Sequence, residues 1–154
     1  MKFSKGKSGY FKNRWDGKIP LTVNQDFDNW KVFSKPRFLT CDGSKILISD
    51  IGLHKIYVID LKSGVQSAYG YLGPNPGQFR MPTGIVLDDV GNHLVSDGGN
   101  NRLQIFTKEG KYVKLCGEID YRYVSPCGLC RVDNNIYVAY RGGQFGAVVK
   151  FSMD

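Results

Sequence analysis

Pro82-Thr-Gly-Ile-Val-Leu87, Asp88-Asp-Val-Gly-Asn92, His93-Leu-Val-Ser-Asp97 and Arg102-Leu-Gln-Ile-Phe106 form the stretch from which the fold can be read. Its apolar runs are rich in Val, Ile and Leu and are separated by Asp, Gly and Asn. That length and composition fit short strands joined by tight turns. A fourth run, 112–117, follows Lys108-Glu-Gly110.

The same order recurs on either side. Pro36, Pro82 and Pro126 lie 46 and 44 residues apart, each with an aromatic three residues earlier: Phe33, Phe79 and Tyr123. Each proline opens an apolar run that ends at a turn: 42–44, 89–92 and 133–135. Second runs follow at 45–50, 93–97 and 136–140, and third runs at 55–60, 102–107 and 147–151. The first repeat has a fourth run at 65–70, and the third stops before its own. No segment has a helical period. Four antiparallel strands in each repeat of 40–50 residues predict an all-β fold of β-propeller blades. The expected organisation is a basic segment at 1–32, a possible remnant of a preceding blade with an outer strand at 18–23. A partial propeller follows at 33–154, in repeats of about 33–78, 79–122 and 123–154.

The chain has 154 residues, 42% hydrophobic and 23% charged, an ordinary globular composition. No apolar run approaches the ~18 residues a spanning helix needs. The first residues lack the apolar core of a secretory signal. The formal charge is +7, and a basic excess points to an anionic partner. Residues 1–18 carry six basic residues against Asp16, so most of that charge is N-terminal.

The cysteines are Cys41, Cys116, Cys127 and Cys130, and the histidines are His54 and His93. Cys127-Gly-Leu-Cys130 has no second ligand pair for a structural zinc. It runs into a strand, not onto the helix start of a redox motif. The expectation is no metal, no cofactor, and four reduced, mostly buried thiols in an intracellular, cytoplasmic protein.

Gly70-Tyr-Leu-Gly-Pro-Asn-Pro-Gly-Gln-Phe79-Arg-Met-Pro82, followed by Ser96-Asp97-Gly-Gly-Asn-Asn101-Arg102-Leu-Gln-Ile-Phe106, resembles an NHL repeat. The similarity extends over about residues 33–154 and is greatest to the C-terminal propellers of tripartite-motif (RING, B-box, coiled-coil) proteins. Ser49-Asp50 and His54-Lys55 hold the matching places in the first repeat. In the third, Tyr140 stands where Asp is expected. Propellers of this family usually have six blades, so about three are present. A half-ring leaves open sheet edges, and further blades or self-association would be needed to close it.

In a four-stranded blade, the loops between strands two and three and between blades share one end, called here the top. Sorting charges this way places Lys35, Arg37, Lys55, Arg80, Arg102, Arg122 and Arg141 at the top, with His54, against four acidic residues, giving +3. The other end has four lysines against six acidic residues, giving −2. The resemblance implies that the top face binds single-stranded RNA in a post-transcriptional regulator. Arg and Lys would meet phosphates, and Tyr121-Arg122-Tyr123 offers stacking planes. Candidate contacts are Lys35, Arg37, His54, Lys55, Arg80, Asn101, Arg102, Tyr121, Arg122 and Arg141. Competing with this, Tyr123 suits inter-blade packing, Asp50 and Asp97 suit holding their turns, and Lys55 and Arg102 can pair with those aspartates. The other reading from the resemblance is a protein-interaction module selecting substrates for a ubiquitin ligase whose RING lies elsewhere. Related propellers include metal-dependent lyases, but two histidines at unsuitable places and no catalytic motif point to a non-catalytic chain with no membrane partner.

Overall fold

The computed structural model describes residues 33–116, 125–142 and 145–152 in full, and the backbone of three strands within the first 32 residues. The chain divides into two compact units, Met1–Val32 and Phe33–Asp154. In the first, β1 (Phe3–Lys5), β2 (Phe11–Trp15) and β3 (Ile19–Leu21) form an antiparallel sheet in that order. Pro20, which can donate no ladder bond, sits on its edge strand β3.

The second unit is a series of antiparallel meanders, the blades of a β-propeller. Blade one is β4 (Pro36–Cys41), β5 (Lys45–Asp50), β6 (Lys55–Asp60) and β7 (Gln66–Tyr69). Blade two is β8 (Pro82–Leu87), β9 (His93–Asp97), β10 (Arg102–Phe106) and β11 (Tyr112–Cys116). Blade three is β12 (Pro126–Val132), β13 (Asn135–Tyr140) and β14 (Ala147–Ser152). Among the described residues there is no α-helix, only a 3-10 turn at Gly98–Asn100.

Registers repeat as closely as the sequence. Pro36, Pro82 and Pro126 pair with Asp50, Asp97 and Tyr140, and each pairing slips immediately after the proline. The slip is a bulge that bends the first strand. It also turns Cys127 outward. Cys41, Cys127 and Cys130 are exposed and Cys116 is only partly covered, which corrects the expectation of buried thiols. On β12 the inward places belong to Pro126 and Leu129, leaving both cysteines of the CxxC facing outward.

Side chains alternate across each strand, so blade two is buried on both faces. Ile85, Val95 and Phe106 join Leu47, Ile56, Val58 and Phe79 in the first seam. Val86, Leu94 and Leu103 join Leu129, Ile136, Val138 and Tyr140 in the second. Tyr69 reaches from blade one across the first seam. Its hydroxyl lies 2.8 Å from His93 Nδ1 and its ring stacks on the imidazole.

His93 is almost fully buried, and its pKa falls to about 4. Burial is the main cause, aided by Lys45 and opposed by Asp42, Asp88 and Glu109. The unfolded chain therefore takes up this proton first. The neutral imidazole contributes stability fully above pH 6.5, and that contribution is lost as pH falls towards 4. At about 1.4 kcal/mol per unit, the expected loss is roughly 2–3 kcal/mol. Urea midpoints at both ends of that window test this. A Tyr69→Phe/His93→Leu double variant, which removes both polar partners together, should have the flatter profile. An equally steep profile would assign the acid sensitivity to other groups.

Candidate binding face at the loop end of the blades

The top end is assembled around two buried carboxylates. Asp50 is fully buried and accepts four backbone N–H bonds: from Ser34 (2.6 Å), Lys35 (3.0 Å), Gly52 (2.8 Å) and Leu53 (3.0 Å). Burial alone would push its carboxyl up, yet these donors outweigh it and hold Asp50 below its usual range. Asp97, at the same place in blade two, is held by the Arg80 N–H (2.6 Å), Asn100 Nδ2 (2.8 Å), Arg102 Nε (2.8 Å) and Gln104 Nε2 (3.1 Å). Here burial wins and the carboxyl lies above its usual value despite the Arg102 charge. Tyr140 takes the equivalent place in blade three and is buried.

The candidate residues divide into two groups. Arg102 is committed internally: beyond Asp97 it donates to the carbonyls of Pro74, Asn75 and Gln78, fixing the loop that enters blade two. His54 and Asn101 are clips between blades. His54 Nδ1 accepts from the Met81 N–H at 3.0 Å, and Asn101 Oδ1 accepts from the Ser125 N–H at 2.9 Å. All four residues have φ between 53° and 56°, a left-handed backbone that favours Asn and is uncommon elsewhere. The sequence signal for this role was the matching place of His54 and Asn101 directly before Lys55 and Arg102.

The second group faces outward. Lys35, Arg37, Arg80 and Arg141 are exposed, and Lys55 is half-buried. Among the described residues none of these five side chains forms an ion pair; the pairs present are Arg102–Asp97 and Arg131–Asp89. Lys55 thus lacks the aspartate partner that sequence offered, because backbone N–H groups occupy Asp50. Arg37 occupies the bulge of β4. Lys35 and Arg80 pack against glycines of the neighbouring turns: a Cβ on Gly52 would press on Lys35, and one on Gly99 on Arg80. Tyr121, Arg122 and Tyr123 lie outside the described residues.

The opposite end is less acidic than the sequence sorting indicated. Arg131 belongs there, paired with Asp89 at 2.8 Å and bonded to the Asp133 and Leu87 carbonyls. Asp42, Asp60 and Asp88 are occupied in closing their own turns.

Comparison with known proteins follows the same lines. The chain is 30% identical over 95 residues to Protein brain tumor of Drosophila melanogaster, 60% of this chain and 9% of that protein. It is 28% identical over 79 residues to human NHL repeat-containing protein 3, 43% of this chain and 22% of the other. Its relatives are NHL-repeat proteins. A third, human E3 ubiquitin-protein ligase TRIM32, is 42% identical over 41 residues, 27% of this chain and 6% of that protein. The chain thus spans less than a quarter of each of these relatives. No family profile matches it.

Among solved structures, the chain superposes on a streptogramin B lyase with TM-score 0.56 and 15% identity, covering 78% of this chain and 41% of the other. The designed protein Ika4 gives TM-score 0.56 and 10% identity, covering 79% and 68%. Both likenesses concern the propeller fold. Among the described residues no group of His, Cys, Asp and Glu is placed to hold a metal ion. No described helix is long and apolar enough to cross a membrane.

Proposed function

We propose that this chain is a non-catalytic NHL-repeat module that takes single-stranded RNA on the top face, as part of a cytoplasmic post-transcriptional regulator. The observation that carries the reading is the group Lys35, Arg37, Arg80 and Arg141, exposed and outside any described ion pair, at an end whose carboxylates are buried and occupied. Cations left free in this way suit phosphates, and guanidinium planes suit unstacked bases. Lys55 stands beside them, while Arg102, His54 and Asn101 position the loops. Ring closure by further blades or by a second copy would extend the same face.

Titration of the whole chain with a pool of short single-stranded RNAs, at several salt concentrations, tests this. Affinity should fall as salt rises, with a log–log slope near −2 to −3 for three or four phosphate contacts. Arg80→Ala and Lys35→Ala should each reduce the slope by about 0.7. Absence of saturable binding by a folded sample would reject the reading. The likeness to TRIM32 then favours a protein partner, in a module that selects substrates for a ubiquitin ligase.

A further inference from the structure

The two seams share one template and differ at several places, among them Tyr69 against Cys116 and His93 against Ile136. Registers make Leu47, Ile56 and Tyr69 of blade one equivalent to Leu94, Leu103 and Cys116 of blade two. Across the seam, His93 and Phe106 correspond to Ile136 and Phe151. In the first seam the Tyr69 ring lies 5.7 Å from the His93 ring and 5.0 Å from that of Phe106. In the second, a thiol stands where the ring would be, and a cavity of about 410 Å³ opens.

The walls of the two cavities reveal what the missing ring does. The second-seam cavity reaches the deep apolar side chains Leu94, Leu103, Ile136 and Phe151. Its counterpart in the first seam is walled by Tyr69, by Val58, Val65 and Ala68, and by polar residues such as Ser63, Ser67 and Lys108. Leu47, Ile56, His93 and Phe106, the counterparts of those deep residues, do not line it. The Tyr69 ring packs on that cluster, with Phe79 beside it and Tyr112 edge-on to Phe106. An apolar cavity of about 150 Å³ lined by Leu, Ile and Phe is enough to take benzene.

We propose that the seam between blades two and three is a binding site for a small neutral monoaromatic molecule, its ring occupying the place that Tyr69 fills in the first seam. Ile136 replaces His93 at the deep end, so the buried edge of the ring is apolar. Polar substituents face the mouth, where Asn92, Lys114 and Ser152 lie. Cys116 forms part of the wall, and burial holds its thiol above the usual range.

Fluorobenzene observed by 19F NMR is a suitable probe, with the whole chain as receptor. Saturable binding is expected to wild type and to Cys127→Tyr, whose substitution lies at an exposed site. Cys116→Tyr supplies the ring internally and should abolish binding. A second measurement needs no variant. At about ten times Kd, alkylation of Cys116 should slow about tenfold, because only the empty form reacts. Cys41, Cys127 and Cys130 should be unaffected. The proposal is overturned by no saturation with wild type, by unchanged binding to folded Cys116→Tyr, or by equal behaviour of all four thiols. If Cys116→Tyr does not fold, the alkylation result decides.

Discussion

Asp97→Ala is expected to destabilise the propeller-blade unit by about 3–5 kcal/mol, the range for removing one partner of a buried ion pair. The carboxylate is fully buried, and the Arg102 side chain is only 16% exposed. Without Asp97, the Arg102 guanidinium, the Arg80 N–H and the Asn100 and Gln104 amides would face an empty site. Arg102 would still hold the carbonyls of Pro74, Asn75 and Gln78, so the loss falls on desolvated charge rather than on loop geometry. Asp97→Asn keeps the shape and some acceptors and should lie between wild type and Ala. Urea unfolding followed by circular dichroism measures all three. A loss under about 1 kcal/mol, the scale of an exposed pair, would mean that water replaces the carboxylate.

Phe79→Ala should cost a similar amount, about 3–5 kcal/mol, by opening a cavity in the first seam. Phe79 is fully buried and packs against Phe106 at 5.1 Å and Tyr69 at 6.2 Å. The chain admits this ring only because Gly70 has no side chain: a Cβ there would collide with the Phe79 ring. Gly70 also has φ of 82°. Gly70→Ala in the wild-type background therefore suffers both collision and backbone strain. In the Phe79→Ala background only the strain remains, about 1 kcal/mol. The two changes should be markedly non-additive, as contacting residues are. Additivity in a double-mutant cycle would separate Gly70 from the ring.

The strands, their order and their grouping into blades were legible because a repeat reports itself three times over. Pro36, Pro82 and Pro126 each mark a strand start, a bulge and a seam. The roles of Asp50 and Asp97 were legible for the same reason. What sequence could not resolve was the choice among donors around those carboxylates. Arg102 and Lys55 look alike as basic residues opening a third strand, yet Arg102 turns in to Asp97 while backbone N–H groups exclude Lys55 from Asp50. His54 and Asn101 read as polar loop residues, and only their left-handed backbone and their bonds to Met81 and Ser125 identify them as clips. The thiols misled because Cys41, Cys127 and Cys130 lie on strand faces that the described seams do not cover.

One small set of hydroxyls gives the row of blades a direction. Ser49 of blade one donates to the Thr83 carbonyl of blade two, and Thr83 of blade two, bonded to Ser96, donates to the Pro126 carbonyl of blade three. In blade three the matching residues are Cys127 and Ala139, and the Cys127 thiol turns back to its own blade's Ala139 carbonyl. The relay is handed forward twice and then stops. The Ser49 and Thr83 hydroxyls thus tie the three described blades together in one direction along the chain.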